Sequence, residues 1–122
     1  MNKFSNKPYK AYVAFVDLDN FEYCTQLKNW KPYQPNPITS FLTKSLEELI
    51  FKYYAVNLWG INKSRGTEEA ILIFPENISN IIDIFENLKN EIKNLARIHK
   101  VPTSLSVGIA KGPISNIKKV YT

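Results

Sequence analysis

Residues 11–17, AYVAFVD, are apolar almost throughout and alternate poorly. Taken by itself, that pattern predicts a central strand covered on both faces. A short helix is expected from Asp19 or Asn20 to about Lys28. The next segment, NWKPYQPNP, carries prolines at 32, 35 and 37, which exclude helix there. Thr39 or Ser40 starts a second helix, with Phe41, Leu42, Leu46, Leu49, Ile50 and Tyr53 on one face. YYAVNLWGI and EEAILIF read as the second and third strands, joined by a polar hairpin turn, NKSRGT. Pro75 ends the third strand. Asn77 or Ser79 is a candidate cap for a long helix that buries Ile78, Ile81, Ile82, Phe85, Leu88, Ile92, Leu95 and Ala96. After Pro102, TSLSVGIA is the fourth strand, and Gly112-Pro113 breaks the chain into a basic tail, ISNIKKVYT.

The order βαββαβ predicts one α+β domain over residues 1–122, of the split-βαβ or ferredoxin-like kind. Its sheet is antiparallel, with helices packed on one face. In the usual strand order the first strand lies beside the third and antiparallel to it. The end of strand one then meets the start of strand three, and four carboxylates converge: Asp17, Asp19, Glu68 and Glu69.

Composition adds bounds. An apolar fraction of 44% and a charged fraction of 22% belong to an ordinary globular domain. The longest apolar runs are strand-sized, so no membrane insertion is expected. MNKFSNKPYK has no apolar core segment and does not read as a secretory signal. A single cysteine, Cys24, excludes an internal disulfide framework and a cysteine-cluster metal site. A cytoplasmic location is expected by default. The net charge of +5 leans towards anionic partners such as nucleotides, although a Lys-, Asn- and Ile-rich composition also suits an AT-rich genome.

Two carboxylates about 4 Å apart repel by roughly 1 kcal/mol in water and by several times that at a protein surface. Four together titrate abnormally or need a counter-cation. Mg²⁺ prefers oxygen ligands and bridges one or two carboxylates to substrate phosphates, which suits phosphoryl or nucleotidyl transfer. The bland alternative gives each acid a local task, with Asp19 as a helix N-cap and Glu68 and Glu69 as solvated turn residues.

FVDLDNF resembles the first motif, D-[IL]-D-x-F, of palm-domain nucleotide cyclases and polymerases. RGTEEAILIF is similar to the R-[YF]-G-G-[DE]-E-F hairpin of GGDEF-type diguanylate cyclases, and LSVGIA to their later S-[IV]-G-I-A strand. The likeness spans about residues 10 to 112 in the same order. With the small size it resembles most the minimal CRISPR-associated polymerase/cyclase family (mCpol), linked to nucleotide second messengers in antiphage defence. The resemblance implies a palm domain that uses Mg²⁺ or Mn²⁺ to join ATP or other nucleoside triphosphates into a cyclic oligonucleotide, a cyclic dinucleotide such as c-di-AMP. It implies Asp17, Glu68 and Glu69 as catalytic residues, and the same acids with the Leu18 carbonyl as metal ligands. The nucleotide-binding set is Leu18, Asp19, Asn20 and Phe21 with Arg65, Gly66 and Thr67, and three lysines, Lys111, Lys118 and Lys119. Asp19 is either a supporting group behind the ligands or the cap. Gly66-Thr67 replaces the double glycine and crowds one backbone approach to the nucleotide. No counterpart of the guanine-reading Asn-Asp pair occurs in EYCTQLKNW, so adenine is the implied base. A homodimer and a separate receptor for the product are the implied partners, with no stable nucleic acid.

The remaining candidates carry weaker signals. Lys63, like Arg65, is a triphosphate ligand or a surface cation. His99 suits a helix C-terminus, and Cys24 a small core position. Tyr9, Tyr12, Trp30 and Trp59 read as packing, with Trp30 placed to cover a base. Two other functions stay open: a degenerate palm that senses a nucleotide, and an RNA-binding ferredoxin-like domain. The second uses aromatics on its sheet face, and strands one and four lack that pattern.

Overall fold

The computed structural model describes residues 10–113, in the order β1 (Lys10–Leu18), α1 (Phe21–Lys28), α2 (Pro37–Tyr53), β2 (Val56–Trp59), β3 (Glu69–Pro75), α3 (Ile81–His99) and β4 (Leu105–Pro113). The strands form one antiparallel sheet in the order β2-β3-β1-β4, the ferredoxin-like arrangement. Strand β1 is central, paired with β3 from Ala11 to Asp17 and with β4 from Lys10 to Leu18.

Alternation along the strands sorts their side chains. Ala14, Val16 and Leu18 of β1, Ala70, Leu72 and Phe74 of β3, and Leu105 of β4 are buried. They share one core with Phe21 and Cys24 of α1, Ile38, Leu42 and Leu46 of α2, and Phe85, Leu88 and Ile92 of α3. The expectation that β1 is covered on both faces is therefore corrected. Its other face carries Val13, Phe15 and Asp17, and Phe15 is 42% exposed. An apolar run marks a central strand here because its open face is apolar too, not because helices cover it.

Three boundaries also move. Helix α2 begins at Pro37, ahead of Thr39 and inside the segment expected to be non-helical, because proline is tolerated at the first helical position. Asn36 caps it: its side-chain oxygen accepts from the N–H groups of Ile38 and Thr39, while Thr39 Oγ1 accepts from the Asn36 N–H, each at 3.0 Å. Helix α3 is preceded by Asn80 in the left-handed region at φ 59°, with no side-chain cap from Asn77 or Ser79. Ile82 is 59% exposed, since Ile81, Phe85, Leu88 and Ile92 define the inward face one position round. Finally, β4 continues through Lys111 and Gly112 to Pro113, which is paired with Lys10. Among the described residues no helix is long and apolar enough to cross a membrane.

Candidate functional site

At the end of the central strand pair, the Leu18 N–H donates to the Glu68 carbonyl at 2.9 Å. Leu18 and Glu68 thus occupy a hydrogen-bonded rung, and the adjoining rung sets Asp17 directly opposite Glu69. On such a non-bonded antiparallel rung the Cα atoms approach to about 4.5 Å and the side chains leave the sheet on the same side. That side is the open face. The expected convergence of four carboxylates is met in part: Asp17 and Glu69 face each other, and Glu68 lines the same cleft from the neighbouring rung, but among the described residues no three of the acids gather as a group that could hold a metal.

Asp19 lies one pleat further along the same face. Its carboxylate accepts from Ser106 Oγ at 2.7 and 2.9 Å and from Ser104 Oγ at 2.8 Å. Its N–H donates to the Ser104 carbonyl at 2.8 Å, and its carbonyl accepts from Thr103 Oγ1 at 2.7 Å. Asp19 is therefore tied to β4 and is not a helix cap. The residue before α1 is Asn20, in the left-handed conformation at φ 55° with no side-chain cap bond. The two serines of TSLS each stand across from an aspartate in the β1–β4 ladder or its extension.

The hairpin that brings Glu68 and Glu69 to this edge is anchored from below. Thr67 is fully buried, and its Oγ1 shares a hydrogen bond of 2.7 Å with Thr43 Oγ1 of α2 and accepts from the Asn62 N–H at 3.1 Å. Its N–H donates to the Thr39 carbonyl at 3.3 Å. The Thr67 side chain is thus turned into the protein and does not crowd a nucleotide, contrary to expectation. Gly66, at φ 85°, passes so close to α2 that a Cβ would lie 2.1 Å from Thr39 Oγ1. On the other side of the hairpin, Gly60 at φ 108° crosses the start of β3, where a Cβ would meet the Glu69 carbonyl at 2.3 Å. Only glycine fits either crossing.

Between these parts lies a cleft of about 520 Å³. Asp17, Glu68 and Glu69 line one end, and Arg65, Tyr33 and Trp59 line it elsewhere. The Arg65 guanidinium sits over the Tyr33 ring, 5.5 Å from its centroid. Trp59, read from the sequence as packing, is 48% exposed and pairs with Ile71, one side-chain step along β3 from Glu69. Tyr33 had no signal beyond a proline-rich setting; its left-handed backbone, φ 61°, turns the α1–α2 loop here.

The other expected ligands lie elsewhere. Phe21 is buried and stacks on Trp30 at 6.3 Å between ring centroids, while Trp30 also meets His99 edge-on at 6.5 Å. Neither Phe21 nor Trp30 lines the cleft. Lys111 pairs with Tyr12, about five residues or 17 Å up the strand from Asp17. There it bridges to Glu76 at 3.4 Å. Lys63 bridges to Glu47 of α2 at 3.3 Å. Lys118, Lys119 and Tyr9 fall outside the described residues. Cys24 is buried in the core, which pushes its thiol pKa up.

Electrostatics single out the same edge. Burial raises the pKa of Asp17, and the charge of Asp19 raises it further. Glu68 is raised by burial first, then by Glu69, Asp17 and Glu22. A cation relieves both causes, and the donors are hard oxygens of the kind Mg²⁺ takes. Among the described residues no group of three or more His, Cys, Asp or Glu side chains is gathered as a ready-made metal cage. Any metal here would rest on one or two carboxylates, with the rest of its shell from water and substrate phosphates. Comparison of the chain with models of known protein families gave no match, and comparison with curated proteins gave none either.

Proposed function

We propose that this protein is a palm-type nucleotidyltransferase that joins ATP, with Mg²⁺ or Mn²⁺, into a cyclic oligonucleotide. The product is a cyclic dinucleotide such as c-di-AMP, a second messenger in CRISPR-associated antiphage signalling that a separate receptor reads. One observation carries the reading: the like-charged Asp17–Glu69 rung, with Glu68 beside it, opens onto a cleft that also holds Arg65 and two aromatic rings. Carboxylates facing each other across a strand pair cost stability. A plain structural rung has no reason to carry them. The resemblance of FVDLDNF, RGTEEAILIF and LSVGIA to palm cyclases supplies the reaction class and the adenine base.

One or two of Asp17, Glu68 and Glu69, with the Leu18 carbonyl, water and substrate phosphates, would hold the metal. When bound there, a divalent cation neutralises charge developing on the α-phosphate and favours ionisation of the attacking hydroxyl. The chain's own groups supply position. Asp17 and Glu69 project from paired strands, so their backbone is fixed before substrate arrives, and Arg65 sets a guanidinium at the same cleft for the polyphosphate. A ribose hydroxyl then attacks the α-phosphorus, and pyrophosphate leaves. Two subunits, each with one nucleotide, provide the two attacks that a cyclic dinucleotide requires.

The test is direct. Purified protein incubated with each nucleoside triphosphate and Mg²⁺ or Mn²⁺ should release pyrophosphate and yield a cyclic dinucleotide by mass spectrometry. No product from any nucleotide with either metal would sink the reading. An RNA-binding role gains one supporting feature, the open-face row Phe15–Ile71–Trp59. The acidic rung beside that row repels a phosphate backbone, so salt-sensitive RNA binding without turnover is the result that would favour it.

A further inference from the structure

The open sheet face is built in rows across the strands. One row holds Glu69, Asp17 and Ser106, and the next holds Trp59, Ile71, Phe15 and Gly108. Side chains in successive rows stand about 7 Å apart along a strand. The indole of Trp59 is therefore one strand across and one step along from the carboxylate of Glu69, and it lines the same cleft as Tyr33 and Arg65. A lone exposed aromatic is ordinary. Here two come from separate elements, the α1–α2 loop and the edge strand, and line one cleft with three acids and a cation. Tyr33 is 75% and Trp59 48% exposed, so neither ring is spent on the core.

Among the described residues lining the cleft, Asn62 is the one side-chain amide, and its Oδ1 already accepts from the N–H groups of Ser64 and Arg65, both at 2.9 Å. That oxygen is committed to holding the hairpin turn. The lining thus offers aromatic surface to a base, with polar groups that are mostly charged.

Resting on the nucleotidyltransferase reading, we propose that Trp59 and Tyr33 form the nucleobase platform of the cleft. It selects purines over pyrimidines by stacked area. Arg65, held over Tyr33, keeps that ring in place and presents its charge to the phosphates. Stacking is indifferent to the edge of a base because every base has a π-face, and larger ring systems cover more aromatic surface.

The experiment uses α,β-methylene triphosphates of adenosine, guanosine, cytidine and uridine, which cannot release pyrophosphate, with inorganic tripolyphosphate as a base-free probe. Binding with Mg²⁺ is measured by calorimetry on the wild type, Trp59→Ala, Tyr33→Ala and Trp59→Phe, each checked for fold by circular dichroism. Trp59→Ala and Tyr33→Ala should weaken both purine analogues by about 10-fold or more and leave tripolyphosphate unchanged. Trp59→Phe should restore part of the loss. The indole also reports directly: nucleotide should quench fluorescence in Trp30→Phe, which keeps Trp59, and not in Trp59→Phe. Wild-type affinity for the adenosine analogue in both alanine variants would overturn the platform, as would cytidine and uridine analogues bound as tightly as the purines. If those variants bind unaltered while the wild type turns ATP over, the platform alone falls. If the wild type binds neither tripolyphosphate nor any analogue, the nucleotidyltransferase reading falls and the platform with it.

Discussion

Asp17 of β1 stands directly across the strand pair from Glu69 of β3, on the sheet face that the helices leave open. Cross-strand neighbours of like charge are destabilising, and sheets usually place opposite charges or apolar pairs there. The arrangement survives because it lies at the strand ends, where water reaches both groups. It identifies the one place in the described sheet where stability is given up for charge.

Replacing Asp17 by Asn removes that charge at almost constant size. The variant should fold as the wild type does, with unchanged or slightly raised melting temperature in the absence of metal, and product formation should fall by about 100-fold or more. Glu68→Gln should behave alike. Near-normal turnover by Asp17→Asn, followed by pyrophosphate release, would remove Asp17 from the site.

Much of this edge was legible in the sequence, since a strand that ends in Asp-Leu-Asp and a hairpin that ends in Glu-Glu must meet in a βαββαβ sheet. The pairing of β1 with β3 and the core positions Leu42, Leu46, Phe85 and Ile92 follow from periodicity in the same way. Other features depend on contacts between distant segments. Ser104 and Ser106 claim Asp19 across more than 80 residues, which no local rule links. Thr67 turns inward because α2 offers it Thr43, and a threonine in a polar turn gives no hint of that. Trp59 and Tyr33 read as packing and loop because aromatic residues look alike in sequence whether covered or bare.

The titration of the acidic edge gives a second expectation. Asp17 and Glu68 are raised above the ordinary 3.8 and 4.5. Between the ordinary and the raised values the folded protein holds more protons than the unfolded chain, so stability falls as pH rises through that window. The contribution is fully present below the ordinary values and lost above the raised ones. The melting temperature of the wild type minus that of Asp17→Asn should therefore decline as pH rises from about 4 without metal. Mg²⁺ competes with protons for the same oxygens, so its stabilising increment should grow over that range. A wild-type advantage that increases with pH in the absence of metal would contradict the assignment.

Gly66→Ala tests whether the hairpin's seat on α2 sets the acids. A methyl group there meets Thr39 Oγ1 at 2.1 Å and its Cβ at 2.5 Å, and φ 85° is strained for alanine in any case. The cost should exceed about 1 kcal/mol in urea unfolding. Thr67→Val, which keeps the shape but leaves the Asn62 N–H without its acceptor while the Thr43 hydroxyl keeps its bond to the Thr39 carbonyl, should cost about 1–3 kcal/mol. Both variants should weaken metal-dependent nucleotide binding, because Glu68 and Glu69 follow Thr67 directly. Full stability in Gly66→Ala would show that the hairpin is free of α2 in solution.

Ser104 and Ser106 hold Asp19 by three hydroxyl-to-carboxylate contacts of 2.7–2.9 Å. They are solvent-exposed, so the double change to alanine should cost only about 1–2 kcal/mol. The larger effect should be on function, since a released Asp19 carboxylate is free to turn towards Asp17. Metal affinity measured by calorimetry should change while nucleotide affinity at saturating metal stays near wild type. Identical metal affinity in the double variant would make the serines purely structural.

Assembly provides the last expectation, and it rests on the proposed reaction. Closing a cyclic dinucleotide takes two attacks, each by the hydroxyl of one nucleotide on the phosphate of the other. One cleft of about 520 Å³ beside one acidic rung serves a single α-phosphate at a time. A two-fold dimer brings two identical sites together, and the rung faces outward from the open sheet surface, where a second copy can approach. Phe15 and Val56, 42% and 57% exposed on that surface, are apolar groups such a partner would cover. Specific activity should therefore fall on dilution once the protein drops below the dimer dissociation constant. Mixing Asp17→Asn with the wild type should depress activity more than in proportion, because mixed dimers retain one working site and cannot close the ring. A turnover rate per subunit that stays constant over a thousandfold dilution, on a protein that is monomeric by sedimentation, would replace the dimer with a single site acting twice.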